Sequence, residues 1–153
     1  MTRPHETTYQ YEKELVDHFL AVIESDQAPW GPLVLLPEFF YHRGRVDVVG
    51  VSPGGKVFAF EAKLTRWRDA LQQAYRNTCF AHQSYVLLPE ATASLAQQYS
   101  VEFDRRGVGL CSLVNNNLIV VHDSPLHEPL QPWLSNEACA RATVKRSHCV
   151  GVA

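Results

Sequence analysis

Three charged residues in the stretch "RVDVVGVSPGGKVFAFEAKL" (45–64) stand where apolar side chains would bury more cheaply: Asp47, Glu61 and Lys63. Two carboxylates and an ammonium in two short, mostly apolar segments have one chemical use in common. The acids can hold a hard divalent cation such as Mg²⁺, which takes oxygen ligands and leaves positions for water and a substrate phosphate. The ammonium can then steady an attacking hydroxide or a developing negative charge. The competing reading for Glu61 and Lys63 is an ion pair along one strand on a solvated sheet face, worth little to stability.

For that chemistry the residues must meet, and the local pattern brings them together. "RVDVVGVS" and "KVFAFEAKL" read as two strands around the turn "PGG". If Pro53, Gly54 and Gly55 form a three-residue loop, Ser52 pairs with Lys56 and the register sets Asp47 opposite Glu61. Their Cβ atoms then lie about 5 Å apart. Like charges that close repel, so one acid tends to hold a proton unless a cation intervenes. Side chains alternate along a strand, so Val57, Ala59, Glu61 and Lys63 share one face and Phe58, Phe60 and Ala62 take the other.

The flanking elements follow from periodicity. Residues 7–25 carry apolar residues at 15, 16, 19, 20 and 23, the spacing of an amphipathic helix. At about 100° per residue the stripe centres on Glu12, which is expected to point inward. "LVLLPEFFY" (33–41) is a strand whose Pro37 suits an edge or a bulge. "TRWRDALQQAYRNTCF" (65–80) switches to helical period with Thr65 as expected N-cap, and Trp67 is expected in the core. "QSYVLLP" (83–89) is a short buried strand, 90–106 one helix, and 107–123 a terminal strand pair. From Ser124 the chain becomes proline-rich, and "LSNEACARATVKRSH" reads as a last helix capped by Ser135. The whole predicts an α/β fold with a mixed central sheet flanked by helices. Residues 1–123 form its domain, and 124–153 are an extension packed on it.

Composition narrows the function classes. The chain has 153 residues, 46% hydrophobic, enough for one domain with a proper core. A net charge of −2 excludes a surface coated in base, so any nucleic-acid contact must be focused on a groove near local clusters such as "HRGR" and "RWR". No apolar run reaches the roughly 18 residues of a membrane span, and the N-terminal stretch lacks the apolar segment of a signal peptide, so a cytoplasmic protein is expected. Cys79, Cys111, Cys139 and Cys149 form no CxxC pair, which leaves reduced thiols rather than a zinc knuckle. His18, His42, His82, His122 and His127 share no ligand spacing and suit surface or capping roles.

Asp47, a fourteen-residue step, then Glu61-Ala62-Lys63 followed by a helix and a strand resembles the PD-(D/E)xK, or restriction-endonuclease-like, superfamily. The resemblance runs from the first helix to about Pro89 and is closest to small bacterial members. An ExK triplet alone arises by chance in about one chain in two of this length, so the resemblance rests on strand context, facing Asp and element order together. It implies a restriction-endonuclease-like core with Mg²⁺ or Mn²⁺ held by Asp47, Glu61 and the carbonyl of Ala62, and Lys63 beside the attacking water. It further implies a helix-1 acid at Glu12 and a supporting glutamine at Gln73, or alternatively Gln72. Val46 replaces the usual proline, and Tyr75 follows the glutamine more tightly than in the family pattern. The function so implied is a metal-dependent nuclease acting on nucleic acid, DNA first, with Arg43, Arg45, Arg66 and Arg68 on backbone phosphates. An RNA endonuclease, or a non-catalytic binding module on the same fold, is the alternative. The C-terminal extension is free to cover a sheet edge, join two copies as a homodimer or contact substrate.

Overall fold

The computed structural model describes residues 8–25 and 28–150, with side chains as far as residue 147. The elements run α1 (Glu12–Glu24), β1 (Val34–Tyr41), β2 (Gly44–Val51), β3 (Val57–Ala62), α2 (Trp67–Asn77), β4 (Gln83–Leu88), α3 (Glu90–Gln97), α4 (Ser100–Arg106), β5 (Gly109–Val114), β6 (Asn117–His122) and α5 (Pro132–Val150). The six strands form one sheet in chain order, β1-β2-β3-β4-β5-β6. The β3–β4 and β4–β5 pairs are parallel and the other three antiparallel, so the sheet is mixed. Helices cover both faces, and the expected α/β architecture is the one observed.

Alternation along the central strands divides the core into layers. Phe58 and Phe60 of β3 and Tyr85 and Leu87 of β4 face α1, where they meet Leu15, Phe19, Val22 and Ile23. Val86 and Leu88 face the other way, against Trp67, Leu71 and Ala74 of α2 and Phe103 of α4. Val57 and Ala59 point to that same side and pack with Val46 and Val49 under Leu134, Ala138 and Ala142 of α5. Every residue of β3 is buried, as a strand covered on both faces requires. Glu61 belongs to the Val57–Ala59 face, so its carboxylate is carried into the layer beneath α2 and α5.

The β2–β3 turn takes the expected register. The Ser52 N–H donates to the Lys56 carbonyl (3.0 Å), and pairs run from Val51–Val57 to Val48–Phe60. Pro37 lies in edge strand β1, and Glu38 beside it has φ 53°. Gly109 is indispensable where β5 begins: a Cβ there would meet the Tyr85 ring at 2.5 Å and the Ser124 backbone nitrogen at 2.6 Å.

Several expected boundaries are corrected. α1 begins at Glu12, later than the expected stretch 7–25 opens, and positions up to 7 lie outside the described residues. α2 begins at Trp67 with Arg66 before it and no side-chain cap, so Thr65 does not cap it. The single helix expected at 90–106 is two, broken after Gln97, and Gly107 closes the second in the left-handed region. The final helix starts at Pro132, a favoured first-turn position. Ser135 therefore sits inside it, and its hydroxyl donates to the Phe80 carbonyl. Trp67 is buried, 5% exposed, and stacks on Phe103, in keeping with its expected core place.

Candidate functional site

Asp47, midway along β2, and Glu61, next to the end of β3, lie just beyond the last β2–β3 pair, Val48–Phe60. One Asp47 oxygen, Oδ2, accepts the Ala62 N–H (2.8 Å), which pins the carboxylate across the strand gap. The other, Oδ1, faces the Arg45 guanidinium at 3.3 Å. Glu61 is 2% exposed, and its Oε1 accepts a hydrogen bond from Asn77 Nδ2 (2.8 Å). Asn77 is held in turn by the Tyr41 hydroxyl, which donates to its Oδ1 at 3.3 Å. Burial first, and the neighbouring Asp47 charge second, push the Glu61 carboxyl up to about 8. Asn77 opposes that shift by stabilising the carboxylate.

Lys63 follows β3, anchored by its N–H to the Leu87 carbonyl (3.3 Å). Its ammonium lies 3.6 Å from Glu12 Oε1. Glu12 does not take the inward place its stripe predicts; it is half exposed at the first turn of α1, beyond the reach of the core that stripe covers. Lys63 is its cationic partner among the described residues.

Two grooves flank these residues. One, about 300 Å³, is lined by Lys63, Asp69, Gln72, Gln73 and Arg76 of the α2 side. The other, about 560 Å³, opens on the α1 side, where Glu12, Lys13, Asp17, Glu38, Arg45 and Asp47 line it. The glutamine candidates Gln73 and Gln72 thus face the smaller groove, while the amide that reaches Glu61 is Asn77's, one turn further along α2. Position 77 continues the buried stripe of 67, 70, 71 and 74, and a polar residue on that stripe is the signal that marks it in the sequence.

The four arginines differ in surroundings. Arg45 pairs with Glu38 and Asp47, Arg66 with Asp69 at 2.8 Å, and Arg68 makes two hydrogen bonds to Glu102 while lying over the Trp67 ring at 4.2 Å. Arg43, in the β1–β2 turn, carries no ion pair among the described residues.

Cys79, Cys111 and Cys139 are free thiols, and the Cys149 side chain lies outside the described residues. His82 accepts the Val57 N–H, His18 bridges Tyr9 and Asn116, and His122 pairs with Asp104. Among the described residues no group of three or more His, Cys, Asp or Glu could hold a metal ion. No described helix is long and apolar enough to cross a membrane.

No protein-family model matches the chain, and no curated protein matches it. A mixed six-stranded sheet with helices on both faces defines the class, an α/β domain. Within it the chain shares its fold with the SPO1766 protein of unknown function from Silicibacter pomeroyi: TM-score 0.59 at 18% identity, covering 94% of this chain and 93% of that one. The structure of an EndoMS-dsDNA2 complex aligns with TM-score 0.46 at 16% identity over 73% of this chain and 48% of that one. A repair endonuclease from Pyrococcus abyssi aligns with TM-score 0.35 at 19% identity over 65% and 46%. The chain spans less than half the length of either of the last two.

Proposed function

We propose that this chain is a Mg²⁺- or Mn²⁺-dependent nuclease that hydrolyses phosphodiester bonds in DNA. The observation that carries the reading is the buried Glu61 carboxyl held beside Asp47, with Lys63 two residues further on. Two acids are brought together at the cost of desolvation and repulsion; of the two, Arg45 pairs only with Asp47, through Oδ1, so a cation shared by both carboxylates would offset those costs, and hard carboxylate oxygens suit Mg²⁺. The donor set fits such a cation: Asp47, Glu61 and the carbonyl of Ala62 would hold it, with water and substrate phosphate as the remaining ligands. A bound divalent ion would polarise the phosphate and make its water more acidic.

The chain's own residues do the rest. Asn77 fixes the Glu61 carboxylate through Oε1, leaving Oε2 for other partners. The Ala62 N–H orients Asp47. Glu12 holds the Lys63 ammonium at the groove edge, where it would steady hydroxide and the charge growing on a phosphate oxygen.

The test is an incubation of plasmid, single-stranded DNA and RNA with Mg²⁺ or Mn²⁺, using Lys63→Ala as control and melting curves in parallel. Wild type should cut DNA and Lys63→Ala should not. At a hundredfold excess over its dissociation constant either ion should stabilise wild type and Lys63→Ala by about 2.7 kcal/mol, and Glu61→Gln far less. Cleavage that survives in Lys63→Ala, or a wild-type melting curve indifferent to both ions, would sink the reading. Cleavage of RNA alone would make the substrate RNA.

A further inference from the structure

The α1-side groove, which Asp47 lines, and the α2-side groove, which Lys63 lines, differ in charge, and the difference gives a nucleic-acid strand a side to enter from. On the α1 side, Glu12, Asp17, Glu38 and Asp47 outnumber Lys13 and Arg45. Both cations there are already paired, Lys13 with Asp17 at 2.9 Å and Arg45 with Glu38 and Asp47. On the α2 side, the one acid, Asp69, is neutralised by Arg66. Arg76 is exposed and has no ion pair among the described residues, and two side-chain amides, Gln72 and Gln73, stand beside it with hydrogen-bond donors for phosphate oxygens.

The β1–β2 turn extends that positive side. Tyr41 packs its ring 5.1 Å from Phe80 and donates to Asn77, so the turn that carries Arg43 lies over the C-terminal end of α2. Arg43 lies two residues beyond Tyr41, and Arg76 directly precedes Asn77, the residue that Tyr41 bonds, so the two arginine positions come to one edge.

We infer that a phosphodiester chain runs through the α2 groove, with Arg76 and Arg43 binding its backbone phosphates on the way to Lys63, and that the α1 groove repels it. The inference rests on the nucleic-acid reading above and specifies the surface that reading uses. Arg45, Arg66 and Arg68 are then structural ion-pair partners rather than phosphate ligands.

Binding of fluorescein-labelled single-stranded and duplex DNA in EDTA, measured by anisotropy over a salt series, tests it. Removing one phosphate-binding cation lowers the slope of log Kd against log salt by about 1. Arg76→Gln and Arg43→Gln should each do so, weakening binding at low salt. Arg76→Lys should retain the slope, and Lys13→Gln should leave it unchanged. All four variants are compared only after melting curves establish folding. An unchanged slope in Arg76→Gln and Arg43→Gln, or an equal loss in Lys13→Gln, would overturn the inference. Heparin serves as a second polyanion. If wild type ignores DNA yet binds heparin with an Arg76-dependent slope, the groove stands and the nucleic-acid reading falls; if it binds neither, both fall.

Discussion

Replacing Glu61 with glutamine isolates the energy stored in the acidic pair. The unfolded chain ionises this carboxyl near 4.5, whereas the fold holds it near 8, chiefly by burial and then by the Asp47 charge. Between those values the folded state keeps a proton that the unfolded state has released. Stability therefore falls as pH rises, by about 1.4 kcal/mol per pH unit and on the order of 5 kcal/mol in all, and it levels off above the folded value. Glutamine has nearly the same shape and can still accept the Asn77 hydrogen bond through its Oε1, but it does not titrate. Urea unfolding of wild type and Glu61→Gln in EDTA, from pH 4.5 to 8.5, separates this effect from the titrating groups that do not touch Glu61, because those cancel in the difference. The two proteins should be nearly equal at the acid end. At the alkaline end the glutamine variant should be the more stable by several kcal/mol, a melting difference of roughly 10 °C for a domain of this size. A stability difference that stays constant with pH would refute the reasoning, since Glu61 would then ionise as freely folded as unfolded.

Two further substitutions probe what supports the site. Asn77→Ala removes the donor to Glu61 Oε1 and leaves a buried carboxyl oxygen unpaired; it should cost about 1–3 kcal/mol at pH 8, where Glu61 is half ionised, and less at pH 5, read by the same urea series. Gly109→Ala forces a methyl group against the Tyr85 ring and the Ser124 backbone; it should cost at least about 1–3 kcal/mol in melting experiments, and a neutral outcome would mean that β5 can shift at that point.

The strands and most helices are legible because each is written locally. The period of two in 45–64 and the turn "PGG" set the register that brings Asp47 to Glu61, and a register follows from alternation and loop length alone. The stripe 67, 70, 71, 74 likewise announces α2 and the burial of Trp67. Caps and breaks are less legible: Thr65 and Ser135 have capping chemistry, but tertiary contacts place the helix starts at Trp67 and Pro132.

What the sequence by itself determined was which residue types could meet on one hairpin. What only the tertiary structure decided was their surroundings. Glu12 lies on the right stripe but too near its end to be buried, because the core thins at the first turn of α1. Asn77, sixteen residues from Glu61, becomes its donor because α2 crosses the face of β3 that Glu61 occupies. The arginines read alike as a series, yet Arg45, Arg66 and Arg68 meet acids in space, whereas Arg43 meets none among the described residues. Alternation is a property of the backbone and is carried by neighbours in the chain; charge pairing and desolvation depend on side chains that reach one another only when the layers close.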